Sequence, residues 1–483
     1  MPPKTLLIPS LLDAHWPLLR WAFQSPAWTP VVLEGERAEV EDLGLGRTHN
    51  DLCYPFVLIT GQVLHALHSG KYSPEHTGVL ISQTGDGCRG SCLIRLLRPV
   101  LDREGFAQVP LLSFNVRGVE RASALPVSLA MARRALAAAF WGDALLLMGN
   151  QTRPAERHTG ETEALIRRWE ETLSGDLAAN RNLSPAAILR RCREMARDFQ
   201  SVETRSLPMQ NIALVGDVYT KYCSLGNWNL VKFLESQGCR AGVNGLTWYA
   251  LYYLDSHLEI GPLPMRLGGK LLAALGEPMQ RRLIRILREA GFTVLPPYRE
   301  LRALAQKLTG TRCALGSGWL LAAESAAWVR AGYRKVLSGL PFQCLPGHIF
   351  GRGQYAALQR KLPGSLIAGV DYDASLRDGT VENRIRMLLD TTEAEILSGN
   401  EHDFGLQIEQ DGRWYWLERK GESANTAEAY MFSTDESREL ALKWASSYGS
   451  LKPGHYRVTK WFFEHRDSGD PTDFLLTAEF TLE

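Results

Sequence analysis

The feature that most constrains the fold is the regular alternation of short apolar runs with helical segments over the first 395 residues. Runs such as GVLISQT (78–84) and VPLLSFN (109–115) end in polar or turn residues, and helical stretches such as SCLIRLLRPVLDREG lie between them. Strands that alternate with helices in this way predict βαβ units and parallel sheets. Further strands are predicted at VVLEG (31–35), ALLLMG (144–149), NIALVGDVY (211–219), FTVLPP (292–297), RKVLSGLPF (334–342) and SLIAGVDYD (365–373).

The strand-and-helix pattern is interrupted once, which divides it into two lobes. From about Arg153 to Thr204 the chain is rich in Glu, Arg and Ala and has no strand signal. We therefore predict a first α/β lobe at residues 1–152, a helical connector at 153–205 and a second α/β lobe at 206–395. Both lobes are expected to be Rossmann-like, with mostly parallel sheets and a cleft between them.

The pattern of apolar and polar residues changes after the second lobe. FGLQIEQDGRWYWLERKGE and GHYRVTKWFFEH alternate apolar and polar residues, which is typical of half-buried antiparallel strands. From Ile396 onward the chain carries 9 basic and 16 acidic residues, whereas the preceding part carries 45 and 37. The tail resembles bacterial immunoglobulin-like domains. We predict a small all-β immunoglobulin-like sandwich at 396–483, so that the fold class is α/β followed by an all-β domain.

Composition excludes several classes of protein. The formal net charge of +1 lacks the basic excess that nucleic-acid binders need, and no apolar run approaches the roughly 20 residues of a membrane span. The first residues, MPPKTLLIPSLLDAHW, make a poor signal peptide. We therefore expect a cytoplasmic protein that binds neither nucleic acid nor membrane, and whose 8 cysteines are reduced thiols or metal ligands.

One glycine pattern suggests a nucleotide site. Gly85, Gly87 and Gly90 form a G-x-G-x-x-G sequence between a predicted strand and helix, where such glycines let a pyrophosphate approach a helix N-terminus. A dinucleotide site also needs a carboxylate after the next strand, but that strand ends at Asn115. A dinucleotide-binding enzyme stays an alternative, and so does a simple tight turn.

Three cysteines lie where predicted strands or loops lead into the next segment. Cys53 is in DLCYP, Cys88 is in QTGDGCR, and Cys344 is in PFQCLPGH. Ligands of open α/β sheets bind outside the carboxyl ends of strands, so these loops could converge on one crevice. Helix N-termini and Arg89 would lower the thiol pKa toward the thiolate that binds metal. The alternative is that each cysteine is a small buried apolar residue, which we favour for Cys192, Cys239 and Cys313.

Six sequence blocks occur in the order of one known family. They are DLCYPFVLITGQVLHALHSGKY, ISQTGDGCRGSCLIRLL, IALVGDVYTKYCSLGNWNLVKFLESQG, GSGWLLAAE, LPFQCLPGHIFGRG and AGVDYDASLRDGTVENRIRMLL. Over roughly residues 1–393 the chain resembles the uncharacterised 2-hydroxyacyl-CoA dehydratase-like proteins, which are related to the C-terminal regions of large activase-type proteins.

The resemblance implies an iron–sulfur cluster of the [4Fe–4S] type held by Cys53, Cys88 and Cys344. Three thiolates would leave one iron open, and the turn at Gly85 and Gly87 would supply backbone donors to the sulfurs. In the related dehydratases a separate ATP-hydrolysing activator delivers one electron at low potential to an acyl-CoA substrate. The partners implied here are such an activator, an acyl-CoA-like substrate or a second dehydratase-like subunit.

The chain departs from the family pattern in its other cysteines and in its domain content. Cys92 and Cys223 stand where family cysteines are not expected, so they are candidate additional ligands. No activator-type ATPase module is fused to the chain, and no phosphate-binding G-x-x-x-x-G-K-[ST] motif occurs. A non-catalytic electron-transfer or cluster-carrying role is therefore kept as an alternative to a lyase.

The remaining candidates are single polar residues. His348 follows Cys344 by one helical turn and could hydrogen-bond a cluster sulfur or act as an acid, or it could be structural. Glu324 follows GSGWLLAA and could transfer protons, or it could be a solvated helix carboxylate. Asp371 and Asp373 could bind a cation or cap the following segment.

Overall fold

The chain forms two compact units, Met1–Ile385 and Arg386–Glu483. The computed structural model describes residues 3–49, 51–83, 87–114, 125–206, 209–312, 314–376, 378–391, 396–399, 404–420, 429–432, 442–464 and 472–483. Within these ranges no helix combines the length and the apolar character that crossing a membrane requires.

The first sheet has four parallel strands in the order β2-β1-β3-β4. They are β1 (Lys4–Ile8), β2 (Trp28–Val32), β3 (Thr77–Ser82) and β4 (Leu111–Phe114). The helices that connect them are α1 (Trp16–Phe23), α2 (Arg37–Leu45), α3 (Tyr54–His68) and α4 (Leu93–Arg103). The apolar run of β3 is buried on both faces up to Ser82, as expected for a strand inside a parallel sheet.

Three long helices follow the first sheet. They are α5 (Leu129–Thr152), α6 (Glu161–Ala178) and α7 (Pro185–Gln200). Helix α7 begins where Ser184 accepts a hydrogen bond from the Ala187 amide (3.3 Å) and Pro185 occupies the first turn, a favourable N-terminus on both counts. The helical character predicted for this segment is confirmed.

The second sheet repeats the topology of the first. Its parallel strands are β5 (Gln210–Gly216), β6 (Cys239–Val243), β7 (Lys335–Pro341) and β8 (Leu366–Tyr372), in the order β6-β5-β7-β8. The helices between and after them are α8 (Val218–Tyr222), α9 (Ser224–Asn227), α10 (Leu230–Ser236), α11 (Leu246–Asp255), α12 (Leu263–Glu289), α13 (Tyr298–Leu308), α14 (Leu320–Arg330), α15 (Leu345–Gly347), α16 (Gly353–Lys361) and α17 (Asp378–Asp390). In both sheets the second strand lies on one side of the first strand, and the third and fourth strands lie on its other side.

The helices α5 to α7 share a hydrophobic core with the second sheet. Trp141, Trp169 and Phe199 belong to one continuous cluster that also contains Val215 of β5 and Trp328 of α14. A separate, smaller core lies under the first sheet and contains residues of β3, α3 and α4. The mixed α/β architecture with parallel sheets that the sequence predicts is therefore present.

Two predicted strands are wrong. ALLLMG (144–149) lies inside α5, because the Ala- and Leu-rich helix continues through Gly142 and Asp143 into this run. Asp143, which directly precedes this run, is fully buried in the middle of the helix. FTVLPP (292–297) is an extended loop before α13, and no strand of the described chain pairs with it. The sequence analysis did not predict the strand β1 (Lys4–Ile8).

The second unit contains an antiparallel sheet of six strands. They are β9 (Ile396–Gly399), β10 (Gly405–Gln410), β11 (Arg413–Trp416), β12 (Ala429–Phe432), β13 (Gly454–Glu464) and β14 (Thr472–Leu482), and a short helix α18 (Trp444–Tyr448) precedes β13. Strands β10 and β11 form a hairpin whose turn is Asp411–Gly412, both with positive φ, as a type I′ turn requires. Phe404, Leu406 and Tyr448 form its buried cluster. The antiparallel character of the tail is confirmed.

Candidate functional site

Both sheets present a loop after their third strand, and each of these loops carries one of the predicted cysteines. Cys88 follows β3 and Cys344 follows β7, so the two occupy equivalent places in the two sheets. The third strand lies beside the first strand in each sheet, at the point where the chain reverses its direction of winding. Such switch points are where open α/β sheets form crevices for ligands.

Arg89 connects the loops of all three cysteines. Its guanidinium donates to the backbone carbonyl of Asp51 at 2.8 Å and to that of Gln343 at 3.0 Å. Asp51 lies two residues before Cys53, and Gln343 directly precedes Cys344. Gln343 has a φ of 56°, a left-handed conformation that a non-glycine residue seldom adopts. The loops are therefore held together by one side chain that we had expected only to act on thiols.

Each of the three cysteines precedes a helical segment and receives a backbone hydrogen bond near its sulfur. Cys53 comes directly before α3, Cys88 before a 3₁₀ turn (Arg89–Ser91) and Cys344 before α15, all with extended backbone. The Gly90 amide donates to the Cys88 Sγ at 3.5 Å. Corresponding backbone hydrogen bonds, from Phe56 and from Gly347, lower the pKa values of Cys53 and Cys344. These donors favour a negatively charged sulfur.

The thiols interact electrostatically with one another. Burial raises the pKa of Cys344, and the charges of Asp217, Cys88 and Cys53 raise it further. Burial also raises the pKa of Cys53, which Arg89 lowers and Asp217 raises. All three cysteines are half-buried and free of disulfide bonds. The structure thus brings the three predicted cysteines into one electrostatically coupled group.

Among the residues that the structure describes, no three His, Cys, Asp or Glu side chains form a cluster that could hold a metal ion.

Asp217 is a site residue that sequence reasoning missed. It directly follows β5 and accepts a hydrogen bond from the Tyr219 amide at 2.9 Å, so it caps α8. It raises the pKa of both Cys53 and Cys344, and therefore lies at the same crevice. The sequence contained a signal for Asp217. The rule that ligands bind outside the carboxyl ends of strands, which we applied to the cysteines, also applies to a polar residue that directly follows the first strand of a sheet.

An aromatic residue from the second sheet's connections contacts the elements next to Cys53. The Trp228 indole nitrogen donates to the Tyr54 hydroxyl at 3.0 Å, and the Arg37 guanidinium lies 4.4 Å from the Trp228 ring. Trp228 also meets Tyr372, at the end of β8, edge to face. These contacts tie the start of α3 to the second sheet and so fix the position of Cys53.

The glycine pattern is only partly described. Gly85 lies outside the described residues, as does Asn115, and Gly87 is exposed next to Leu315. Gly90 belongs to the 3₁₀ turn, and α4 begins only at Leu93. Dinucleotide binding at these glycines stays a prediction.

The two additional cysteines differ from the group of three. Cys92 is exposed at the start of α4. Cys223 is fully buried, and its Sγ lies 3.5 Å from the Ser10 hydroxyl. Burial and the charge of Asp13 raise its pKa to about 12. Cys192 and Cys239 are buried as expected, while Cys313 lies outside the described residues.

The two candidate catalytic residues have very different surroundings. His348 is exposed, and its backbone amide donates to the Cys344 carbonyl at 2.9 Å. Glu324 is not a solvated helix carboxylate, and that alternative was wrong. Its side chain is 2% exposed and lies 2.8 Å from the Lys221 ammonium, which is itself 4% exposed. The Asn244 amide donates to the same carboxylate at 2.8 Å.

The paired aspartates after β8 have partners within the protein. Asp371 forms an ion pair with Arg352. Asp373 accepts hydrogen bonds from the amide and the hydroxyl of Ser375, so it caps the segment that follows it. Capping, one of the two explanations that the sequence left open, therefore accounts for Asp373.

Comparison with known proteins identifies one part of the chain. Residues 375–481 match the family model of a bacterial Ig-like domain. The C-terminal region is therefore an immunoglobulin-like domain, and the match begins upstream of the residue 396 from which we predicted it. A search of curated proteins finds no significant match to the chain.

Proposed function

We propose that the chain is an iron–sulfur protein resembling the 2-hydroxyacyl-CoA dehydratases, with Cys53, Cys88 and Cys344 as cluster ligands. The observation that carries the proposal is that these three half-buried thiols come from loops far apart in sequence, which Arg89 connects by hydrogen bonds, and that Cys88 and Cys53 act electrostatically on Cys344. Both four-stranded sheets have the strand order of flavodoxin-like folds, which supports a pair of Rossmann-like lobes.

A [4Fe–4S] cluster would need the three thiols to reach different irons. Cysteines that bind a [4Fe–4S] cluster attach to different irons, so their sulfurs lie farther apart than the ligands of one zinc ion. The donor set also suits the group, because thiolates are the ligands that iron–sulfur clusters use.

The charges around the three thiols indicate that a cationic group would be needed to ionise them. Two further thiolates and Asp217 oppose ionisation of Cys344, whereas the charge of Arg89 favours ionisation of Cys53. Without iron the thiols stay protonated, and loading the site releases their protons. The backbone donor at Gly90 would then stabilise the sulfur of Cys88 and help to set the reduction potential.

A cluster with one iron free of cysteine supplies low-potential one-electron transfer and a position for a substrate oxygen. Around it, the chain contributes apolar side chains on the Cys344 loop, where Phe342, Leu345 and Ile349 are exposed. These residues would exclude water from a small acyl-CoA-like substrate or from a docked electron donor. A separate ATP-dependent activator would reduce the site, and the cytoplasm would keep the thiols reduced.

The proposal is tested by anaerobic purification, followed by iron and sulfide analysis and by EPR of the reduced protein. We expect about four irons and four sulfides per chain, as one [4Fe–4S] cluster requires. Cys88→Ala and Cys344→Ala should each lose most of the bound iron.

Cys192→Ala provides the matched control, since this thiol is fully buried in α7 and belongs to the core. It should retain the iron and the EPR signal of the wild type. A wild-type protein that stays colourless and free of iron after reconstitution would refute the proposal, as would equal iron loss in all three variants.

A further inference from the structure

The long helix α12 carries a row of leucines that the described part of the chain leaves uncovered. Their side chains are each between 55% and 67% exposed, and we name them the leucine stripe: Leu263, Leu267, Leu271, Leu272 and Leu275. Together they expose on the order of 500 Å² of apolar surface, which is toward the upper end of what a soluble monomer leaves uncovered. A patch of this size indicates a contact with another molecule or with a membrane.

The leucine stripe forms a ridge on the surface of the described chain. Four of its leucines are spaced four residues apart, so they follow one another along the helix. The residues beside them include Pro264 and Gly268, which are also exposed, and a Cβ placed on Gly268 would meet nothing within 4 Å. A partner helix would need an apolar groove to lie in. A bilayer, in contrast, accepts a protruding row of leucines without any matching shape.

Basic residues accompany the leucine stripe and continue beyond it. Arg266 and Lys270 lie among the leucines, and Arg282 and Arg285 are exposed after the last of them. Arg285 follows Leu267 by 18 residues, which is five full turns, so the two lie on the same side of the helix. The exposed side of α12 is therefore apolar in its first half and basic in its second half.

Some cations of α12 already have acidic partners. Lys270 lies 3.4 Å from Glu259, and Arg281 lies 2.8 Å from Glu277. The other acidic residue of the helix, Glu289, is its last residue. Within the described chain, the basic residues of the stripe and its continuation that have no ion pair are Arg266, Arg282 and Arg285. Three unpaired cations favour an anionic surface, and a second copy of the helix would only add three more.

We propose that α12 is a membrane-surface helix that binds the protein to a bilayer with anionic headgroups. The leucine stripe enters the boundary between headgroups and acyl chains, while Arg266, Arg282 and Arg285 contact the lipid phosphates. The composition of the whole chain led us to expect no membrane binding. However, a net charge of +1 is an average over 483 residues, and it conceals the local concentration of leucine and arginine on this helix.

The test is co-sedimentation of the full chain with two kinds of lipid vesicle. One contains equal parts of phosphatidylglycerol and phosphatidylcholine, and the other contains phosphatidylcholine alone. The wild type should bind the anionic vesicles about 100-fold more strongly, because each of three cations near an anionic surface contributes about 5-fold. Added salt should reduce this difference, since it screens the charges. Equal binding to both kinds of vesicle would overturn the proposal.

A first double variant tests the contribution of charge. Arg282→Gln with Arg285→Gln should weaken binding to the anionic vesicles about 25-fold. The matched control is Arg103→Gln with Arg384→Gln, which removes the same charge from exposed positions on α4 and α17 and should leave the binding almost unchanged. If the control variant loses as much binding as the test variant, the charge of the whole protein is responsible and the role of α12 is wrong.

A second double variant tests the leucines without changing the charge. Leu267→Ser with Leu271→Ser should weaken binding to the anionic vesicles at least about 10-fold, because less apolar surface is removed from water. The matched control is Val127→Ser with Leu129→Ser, at comparably exposed positions at the beginning of α5, which should bind like the wild type. A wild type that binds neither kind of vesicle refutes the proposal, whether it dimerises in sedimentation velocity or binds an acidic amphipathic peptide instead.

Discussion

The ion pair between Lys221 and Glu324 is buried within the first unit, so the loss of either partner should destabilise this unit. The Lys221 ammonium lies 2.8 Å and 3.1 Å from the two oxygens of the carboxylate, and both side chains are almost fully removed from solvent. At 2.8 Å and an effective dielectric constant of 20, two unit charges attract by about 6 kcal/mol. Much of this attraction offsets the cost of removing both charges from water.

The loss of one partner should therefore cost more than the loss of both. Glu324→Gln leaves the ammonium buried without a counter-charge, and Lys221→Met leaves the carboxylate with the Asn244 amide as its described donor. We expect each single substitution to destabilise the first unit by about 3–5 kcal/mol. The double variant removes both charges and retains the hydrogen bond to Asn244, so it should cost only about 1–2 kcal/mol.

The assay is a double-mutant cycle in urea, followed by hydrogen exchange and mass spectrometry of peptides from α8 and α14. These peptides report on the first unit independently of the immunoglobulin-like domain. A coupling free energy of at least about 3 kcal/mol is expected. If the loss of unfolding free energy in the double variant equals the sum of the losses in the two single variants, the two side chains do not stabilise each other and the reasoning is refuted.

Three further substitutions test the crevice and its surroundings. Gly216→Ala should destabilise the first unit by more than about 3 kcal/mol in urea unfolding. The reason is that Gly216 has a φ of 141° and that an added Cβ would lie 2.0 Å from a carbonyl oxygen of β7. The matched control is Gly175→Ala, on the exposed face of α6 with open space around it, which should stabilise the protein by about 0.5–1 kcal/mol. Asp217→Asn should lower the midpoint pH of Cys53 alkylation, since this carboxylate raises the pKa of the thiol, and mass spectrometry of the Cys53 peptide follows the change. Arg89→Ala should raise the same midpoint, because the guanidinium lowers that pKa, and a shift of both variants in one direction would contradict the assigned charges.

The strands that the sequence predicted correctly share one property. The runs that became β3, β5, β7 and β8 are short, rich in β-branched or apolar residues, and bounded by polar residues or glycine. ALLLMG (144–149) is preceded by Gly142 and Asp143, but both lie inside the Ala-rich helix α5, so this boundary did not mark a strand. The periodicity of a short apolar run does not distinguish a strand from a buried helix, so the assignment depends on the residues around the run.

The candidate site could be predicted in part because strand ends are local signals. Cys88 and Cys344 each follow a recognisable strand, and parallel sheets gather such positions on one edge. The partners of Glu324 were not predictable in this way. Lys221 lies 103 residues from Glu324, and only the packing of α8 against the rest of the second sheet brings the two together. Long-range pairs of this kind leave no trace in composition or spacing.

The positions of Cys53, Cys88 and Cys344 along the chain have a consequence for biosynthesis. During translation the first two thiols emerge long before Cys344, and the crevice exists only after β7 has joined β5. A nascent chain that stops earlier presents two of the thiols without the third. A group that needs all three thiols would therefore be inserted only after synthesis of the first unit is nearly complete, so loading of such a group would report that the unit has finished folding.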